Sequence, residues 1–328
     1  MAEVEEEKGV QFFSRDFEWE RLRDEVERDP LSSYHLSPFP TTPSSPSPGV
    51  ADADAWRSFH RCHSTGKFFK ERRYILKEFP ELIVCDASIS VLEVGCGNGS
   101  TVLPILRSKQ DIIIYACDCS QKALDKAGEM VTTADLTFRD RFYPFLHDFS
   151  IDKFPDWLLC TVCQRSSPRK KFIFTQDANG QCLIGSNKPA CLEAECCSGG
   201  LDFVTLIFTL SAIPFQRMSF VVAECMTVLK PGGLLLFRDY GLFDMTMLRF
   251  PSEQRVGFRE YIRLDGTLSY FFSLDIVRNL FLGAGFIELE LEYCCVISVN
   301  RRSGKKMQRV WVHGKFQRPI LSTASLSS

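Results

Sequence analysis

The residues with the clearest capacity for chemistry lie in a glycine-rich segment, Glu93-Val-Gly95-Cys-Gly97-Asn-Gly99, which ends a short apolar run. Glycines there let the backbone approach a ligand closely where a strand gives way to a helix. A dinucleotide fingerprint has another glycine three residues after the second one, and this chain has Ser100 at that position. An acid inside the strand has no role in binding a pyrophosphate but suits a cationic cofactor without phosphates. S-adenosylmethionine is such a molecule, so we predict that Glu93, Gly95, Gly97 and Gly99 bind it.

Two aspartates further along the chain could complete this site. Asp118 ends the next apolar run, and Asp148 follows Phe145-Leu-His147, where a third strand would end. A carboxylate at a neighbouring strand tip can accept both ribose hydroxyls, and one at the third tip lies within reach of an adenine amine. Each acid alone could be a surface residue or a helix cap. Their places at successive strand ends favour a shared site, and we add Ile207, near the end of a further apolar run.

The pattern of apolar runs predicts the elements that hold these residues. Runs at 91–94, 111–117, 203–208 and 234–237 alternate with segments of helical spacing, as in a doubly wound parallel sheet. Lys230-Pro-Gly-Gly233 is expected to separate a helix from the strand that follows. A helix opened by Ser273 precedes two long strands, 287–299 and 307–316. The predicted fold class is α/β, with a seven-stranded Rossmann-like sheet that ends in an antiparallel hairpin.

Composition excludes several classes of protein. The 328 residues carry 39 basic and 41 acidic side chains, so a nucleic-acid partner must be held by a local patch. The apolar runs are much shorter than the roughly 18 residues that a bilayer helix needs, so we expect no membrane span. The acidic first ten residues resemble neither a signal peptide nor a transit peptide. This predicts a cytoplasmic or nuclear protein.

The chain divides into three predicted parts. Residues 1–54 combine an acidic, solvated and partly helical extension at 1–30 with a Pro/Ser-rich linker, and are expected to be largely disordered. Residues 55–320 are expected to form one folded domain, and residues 321–328 a disordered tail. Within the domain, a cysteine-rich insert at about 158–200 lengthens one connection of the sheet.

The insert contains a candidate metal site. Cys160-Thr-Val-Cys163 has the spacing of half a tetrahedral zinc site. Cys191 with Cys196 would have to supply the other half. The alternative is a flexible loop with unligated thiols, which we favour because only one half has the spacing of a metal site.

Several longer motifs are more specific than the glycine loop. They are WRSFHRCHSTGKFFKER at 56–72, YACDCS at 115–120, LIFTLSA at 206–212, FRDYGLFDMTMLRF at 237–250 and RLDGTLSYFF at 263–272. Through them the chain resembles the tRNA 3-methylcytidine methyltransferases, a branch of the class I S-adenosylmethionine-dependent enzymes. It departs from the family pattern at Leu264, where the family has Gln, and at Phe59-His60, where the family has Phe-Tyr. The resemblance implies a methyltransferase domain over residues 55–320 and methylation at N3 of cytidine 32 in a tRNA anticodon loop. It also implies a protein partner for some relatives, such as seryl-tRNA synthetase.

This reaction suggests roles for three residues. We hypothesise that Asp239 accepts the cytosine amine and favours the developing positive charge, while Tyr240 or Phe59 stacks on the base. The alternative is that Asp239 only pairs with Arg238 or Arg249, since charged pairs at strand ends are common.

Basic residues concentrate in two segments, 57–73 and 301–318, the second of which has seven bases and no acid. Exposed bases suit phosphate contacts, whereas a merely solvated face is the alternative. The predicted RNA-binding residues are Arg72, Arg73, Arg249, Arg301, Arg302, Lys305 and Lys306. Two other functions stay open, a small-molecule N- or O-methyltransferase and a non-catalytic adaptor that binds RNA or a synthetase.

Overall fold

The structure, a computed structural model, describes residues 15–39, 51–63, 70–84, 88–159, 174–176, 182–184, 200–299, 304 and 306–320. Within them the helices are α1 (Trp19–Arg28), α2 (Ser33–Leu36), α3 (Ala51–Cys62), α4 (Ile75–Glu78), α5 (Glu81–Val84), α6 (Val102–Ser108), α7 (Gln121–Ala134), α8 (Phe215–Val228) and α9 (Leu274–Gly283). The strands are β1 (Ile89–Val94), β2 (Ile112–Asp118), β3 (Phe142–Leu146), β4 (Phe174–Gln176), β5 (Cys182–Ile184), β6 (Leu201–Ile207), β7 (Leu229–Tyr240), β8 (Arg255–Gly257), β9 (Glu260–Ile262), β10 (Leu268–Tyr270), β11 (Ile287–Val299) and β12 (Lys306–Gln317).

A seven-stranded sheet forms the centre of the molecule, with the strand order β11-β12-β7-β6-β1-β2-β3. The strands from β7 to β3 in this order run parallel, while β12 is antiparallel to both β7 and β11. The predicted doubly wound sheet with a terminal antiparallel hairpin is therefore confirmed. Because the parallel strands share one direction, their carboxyl ends meet at one edge of the sheet.

Both faces of the central strands are buried, because successive residues of a strand point to opposite sides. In β1, Leu92 and Val94 join a core that includes residues of α8 and α9. Ile89 and Val91 join a second core with residues of α6 and α7. Burial on both faces explains why the sequence shows continuous apolar runs there and not an alternating pattern.

The boundary between α8 and β7 differs from the prediction. Lys230-Pro-Gly-Gly233 does not separate the two elements, since Leu229 already pairs with Leu201 of β6. A Cβ on Gly233 would lie 2.9 Å from the carbonyl oxygen of Lys230 and 3.1 Å from that of Asp202. The glycine therefore permits a close approach of two backbones inside the strand.

Part of the N-terminal extension is folded, contrary to the expectation of disorder across residues 1–54. Leu22 and Val26 of α1 are buried in a third core, together with apolar residues from the segment 242–271 and with Cys295 and Val310. Trp19 stacks on Tyr293 with ring centroids 4.7 Å apart and donates its indole N–H to the carbonyl of Leu242 at 3.0 Å. Residues 15–39 are therefore folded, because α1 is amphipathic and covers an apolar surface. The helix agrees with the partly helical character predicted for residues 1–30, whereas its burial was not predicted.

Most of the cysteine-rich insert lies outside the described residues, apart from the antiparallel pair of β4 and β5. Cys160, Cys163, Cys191 and Cys196 also lie outside them, as does the predicted tail at 321–328, so those predictions stay predictions. Over the described ranges, no group of three or more His, Cys, Asp or Glu side chains could hold a metal ion. In that same part of the chain, no helix is long and apolar enough to cross a membrane.

Candidate active site

A cavity of about 480 Å³ lies at the carboxyl ends of β1, β2 and β6. Its wall includes Gly95 and Gly97 after β1, Asp118 at the end of β2 and Ile207 at the end of β6. α3 closes one side and contributes Ala53, Trp56, Phe59 and His60. The structure thus brings five of the seven predicted cofactor residues to one cavity wall at the sheet edge, namely Gly95, Gly97, Asp118, Asp148 and Ile207.

The glycine loop approaches its surroundings closely at one position and leaves room for a ligand at another. A Cβ on Gly95, which has φ +68°, would lie 2.8 Å from Thr209 Cγ2, so this glycine lets the loop pack on the turn after β6. A Cβ on Gly97, which has φ +53°, would meet only His60 Cε1, at 3.8 Å. Gly97 is therefore the position at which the backbone can come close to a bound molecule.

Asp118 is held rigidly on the cavity wall. Its Oδ2 accepts a hydrogen bond from the Gly97 backbone N–H and its Oδ1 from that of Ser120, both at 2.9 Å. Burial raises the pKa of Asp118, although the nearby His60 and the two amides act in the opposite direction. Burial lowers the pKa of His60. The Cys119 side chain also hydrogen-bonds to Asp118. A carboxylate has about four acceptor sites, so these three bonds leave capacity for a ribose hydroxyl.

Asp148 and Ile207 also line the cavity. The carboxylate of Asp148 and the backbone carbonyl of Ile207 already accept hydrogen bonds within the protein. Oδ1 of Asp148 accepts from the backbone N–H of Ser150 at 3.1 Å and from its hydroxyl at 2.6 Å. These bonds leave Oδ2 to a ligand. The carbonyl of Ile207 accepts from Nη1 of Arg72 at 3.4 Å.

Glu93 lies behind the glycine loop and off the cavity wall, with 1% of its surface exposed. Burial raises the pKa of Glu93 to about 7, against the opposing effects of the Arg72 charge and a hydrogen bond from Thr101. Its Oε2 has no hydrogen-bond partner among the described residues. A buried carboxylate with an unused acceptor beside the loop fits a cationic ligand, because a positive charge favours its ionised form. Gly99 also lies off the wall, packed against Ala127.

The predicted catalytic residues separate in the structure. Tyr240 and Phe59 line the cavity, whereas Asp239 does not and is fully buried. Successive strand residues point to opposite faces, which is consistent with Tyr240 lining the cavity while Asp239 does not. Asp239 accepts from the backbone N–H groups of Ser211 at 3.0 Å and Tyr240 at 2.8 Å, and burial raises its pKa to about 6. These bonds hold the turn after β6. The contact predicted between Asp239 and the cytosine amine stays a prediction.

Arg238, the alternative partner predicted for Asp239, forms a buried ion pair with Glu78 instead. Its guanidinium carbon lies 4.9 Å from the ring centroid of Tyr74 and 4.5 Å from that of Trp311. Trp311 is itself part of the cavity wall. Arg238 therefore positions an aromatic residue of the site without reaching the cavity.

Several cavity residues were not predicted from the sequence. Phe208 follows β6 with φ +56°, a conformation that is unfavourable for a residue with a side chain. Its ring centroid lies 5.0 Å from that of Tyr240. Other unpredicted residues of the same wall include Thr246, Arg263, Asp265, Arg309 and Trp311. These residues lie in the motifs at 206–212, 237–250 and 263–272 and in the basic segment 301–318. The sequence does not show that they share one cavity, because only the fold brings these loops and this strand to one edge.

The predicted RNA-binding residues occupy different places. Arg72 lies in the cavity wall, and Arg73 is exposed. Arg249 and Lys306 line a second cavity of about 490 Å³ beside the hairpin. Arg301, Arg302 and Lys305 lie outside the described residues. The structure therefore places two of the predicted bases together on a surface separate from the first cavity.

Comparison with known proteins establishes the class. A family profile described as "Methyltransferase domain" matches residues 68–290. The solved structure of the 1,6-didemethyltoxoflavin-N1-methyltransferase of Burkholderia thailandensis is similar, with a TM-score of 0.52 over 86% of this chain and 94% of that chain, at 11% identity. The fold and the profile define a class I methyltransferase.

Relatives of known name establish the family. The chain is 34% identical to the tRNA N(3)-cytidine methyltransferase METTL6 of Homo sapiens over 80% of this chain and 79% of that protein. It is 33% identical to the tRNA N(3)-methylcytidine methyltransferase Mettl2 of Drosophila melanogaster over 81% of this chain and 71% of that protein. The chain belongs to the tRNA N(3)-cytidine methyltransferase family, as its motifs predicted.

Proposed function

We propose that this chain transfers a methyl group from S-adenosylmethionine to N3 of cytidine 32 in the anticodon loop of a tRNA. Family membership supports the reaction and the class of substrate, because the relatives are named for them. The observation that carries the proposal is one cavity with two unlike ends. One end has Gly97 and Asp118, and the other has Tyr240 and Arg309. Methyl transfer needs both reactants held in line within a single cavity.

The residues at the first end fit the cofactor. S-adenosylmethionine supplies an electrophilic methyl group on a cationic sulfur. Asp118 accepts the ribose hydroxyls with the acceptor capacity that its bonds within the protein leave, and Oδ2 of Asp148 accepts the adenine amine. Gly97 leaves the space that a side chain would fill. Glu93 contributes a negative charge behind the loop.

The residues at the second end position the base. Neutral cytosine carries a free lone pair on N3, so the chain needs no general base to create the nucleophile. N3 is also a Watson–Crick acceptor, so the base must be unpaired or flipped before it reacts. Phe208 and Tyr240 form an aromatic corner in which the base stacks, and Phe59 lines the same cavity. Asp239 holds the turn at Ser211 that forms part of this wall.

A methyl-transfer assay tests this function. Label from S-adenosylmethionine should enter total tRNA and a synthetic anticodon stem-loop, and nucleoside mass spectrometry should identify 3-methylcytidine. The same hairpin with uridine at position 32 should accept no label. Label in a metabolite extract but not in tRNA would indicate a small-molecule methyltransferase. Absence of cofactor binding in calorimetry would indicate an adaptor.

The second cavity supports an additional RNA contact. Arg249 and Lys306 line it, and Arg301, Arg302 and Lys305 are close to Lys306 along the chain. We propose that these bases bind phosphates of the tRNA outside the catalytic cavity. A charge-reversed double variant, Arg249→Glu with Lys306→Glu, should weaken binding and lower the salt dependence by about one unit of slope for each phosphate that is no longer bound. An unchanged slope would contradict the contact.

Three further expectations concern the setting of the enzyme. We propose that it acts in the cytoplasm or nucleus, and that seryl-tRNA synthetase or another protein increases its rate. Single-turnover rates of methylation, measured with and without the synthetase, test whether this partner increases the rate. The position of a fluorescent fusion protein in cells tests the location. We also propose that the cysteines of the insert are unligated thiols. Elemental analysis that finds one zinc per purified chain would contradict this.

A further inference from the structure

The second end of the catalytic cavity is rich in hydrogen-bond donors. Arg263, Arg309, Trp311 and Thr246 all line it. We propose that these residues form a phosphate subsite, which binds a phosphodiester next to the cytidine that is methylated. The inference rests on the proposed function and deepens it, because the site then recognises a nucleotide within an RNA strand and not a free nucleoside.

Arg309 is fixed in place but keeps donors for a ligand. Its Nε donates to Oδ2 of Asp244 at 2.9 Å, and its Nη2 lies 3.5 Å from Oγ1 of Thr246. Asp244 is fully buried and also accepts from the backbone N–H groups of Val310 and Thr246. These bonds hold the guanidinium in one orientation and leave Nη1 for an anion. The Arg309 side chain is 20% exposed, so a ligand in the cavity can reach it.

Arg263 supplies a second guanidinium at the same end. Its Nη1 donates to Oγ1 of Thr267 at 3.2 Å and to the carbonyl of Leu268 at 3.1 Å. These contacts leave Nη2 and Nε for a ligand. Burial raises the pKa of Tyr240, and the charges of Arg263 and Arg309 both oppose that rise. Arg263, Arg309 and Tyr240 line the same cavity, so a single ligand there faces both guanidinium groups.

Trp311 adds a neutral donor. Its Nε1 is buried and has no hydrogen-bond partner among the described residues. Two guanidinium carbons lie near the ring, Arg238 at 4.5 Å and Arg309 at 5.3 Å from its centroid. A buried donor without an acceptor is unfavourable, and a phosphate oxygen at this end of the cavity would supply the acceptor. Asp265, an acid on the same wall, already accepts from the backbone N–H and hydroxyl of Thr267.

The chemistry of the ligand follows from this donor set. Two arginines, one indole N–H and one hydroxyl match the several acceptor oxygens of a phosphodiester, and arginine forks bind phosphate with directed hydrogen bonds. The base of a nucleotide can then stack near Tyr240 while its own backbone reaches the arginines. This arrangement explains how one small cavity can favour cytidine in RNA over small cytosine compounds.

A neutral phosphate analogue tests the subsite without a mutation. Anticodon stem-loops are made with one methylphosphonate on the 5′ or the 3′ side of the target cytidine, or at a distant position in the stem. At one of the two adjacent positions, wild-type kcat/KM should fall about tenfold to 100-fold, as expected when one charge-assisted hydrogen bond is removed. The stem substitution should change it less than about twofold. Equal rates for all hairpins would overturn the subsite.

Variants assign the effect to the arginines. In Arg263→Gln and Arg309→Gln, the normal hairpin should react as slowly as the methylphosphonate hairpin does with wild type. With these variants, the methylphosphonate hairpin should react no more slowly than the normal hairpin. Arg278→Gln, which removes an arginine on α9 away from the cavity, should behave as wild type. If both cavity variants still react with the normal hairpin faster than with the methylphosphonate hairpin, by the same factor as wild type, the assignment to the two arginines is contradicted. Affinity for S-adenosylhomocysteine should be unchanged, and a fall in that affinity would place the cofactor carboxylate there instead.

A binding experiment separates failure of the subsite from failure of the proposed function. Cytidine, cytidine 5′-monophosphate and cytidine 3′-monophosphate are titrated into the protein with S-adenosylhomocysteine present, and tryptophan fluorescence is followed. At least one monophosphate should bind about tenfold more tightly than cytidine. If all three bind equally, the subsite is wrong even where the hairpin is methylated. If the hairpin is not methylated by wild type, the proposed function fails.

Discussion

Replacement of Gly97 by alanine tests whether the glycine loop binds the cofactor. The residue has φ +53°, and an added Cβ would contact only His60 Cε1, at 3.8 Å. That backbone conformation costs an alanine roughly 1–2 kcal/mol in the free energy of folding. The new methyl group also projects into the space where the ligand must approach. We therefore expect Gly97→Ala to weaken S-adenosylhomocysteine binding by at least about tenfold, or about 1.4 kcal/mol, beyond its effect on folding.

Gly285→Ala is the matched control. This residue has φ +98°, and an added Cβ would contact only Met226 Cε, also at 3.8 Å. It follows α9, away from the cavity. Calorimetric unfolding should show similar losses of stability for the two variants, while isothermal titration should separate their affinities for the cofactor product. Equal dissociation constants for wild type and both variants would refute the assignment of the glycine loop to the cofactor.

Other predictions concern buried charge and the N-terminal helix. The folded chain binds a proton on Glu93 between pH 4.5 and about 7 that the unfolded chain does not, so stability should fall as pH rises through this window. Urea titrations of Glu93→Gln should show a flatter pH dependence, and an identical slope would contradict the raised pKa. Glu78→Ala leaves Arg238 buried without a counter-charge and should cost about 3–5 kcal/mol of unfolding free energy, whereas about 1 kcal/mol or less would mean that the pair is solvated. Trp19→Ala removes the stacking on Tyr293 and should make residues 15–39 sensitive to protease, and unchanged cleavage would show that the helix is held by other contacts.

Much of the fold and of the cofactor end was predictable, because both depend on local pattern. Apolar runs that alternate with helical spacing specify a parallel sheet, and the carboxyl ends of parallel strands share an edge. Gly97, Asp118 and Asp148 therefore meet around one cavity although they are far apart in sequence. The terminal hairpin was equally visible as two long runs joined by polar residues.

The substrate end was less predictable, because it depends on which face of a strand a side chain occupies. Asp239 and Tyr240 are neighbours in the sequence and suited to one task by residue type, yet strand geometry sends them to opposite faces. Which face borders the cavity depends on the turn after β6 and on α3, which come from distant parts of the chain. Arg309 and Trp311 reach the site only because β12 pairs with β7 and sets Trp311 opposite Tyr240.

The sequence by itself determined the class of fold, the family and the cofactor edge, because periodicity, glycine positions and strand-end acids are properties of short segments. Only the tertiary structure decided which polar groups face the ligand and which are used within the protein. Asp239 is occupied by two backbone amides, while the indole of Trp311 and part of Arg309 stay available. The physical reason is that hydrogen-bond capacity is shared among residues that are close in space, and closeness in space is set by packing and strand register.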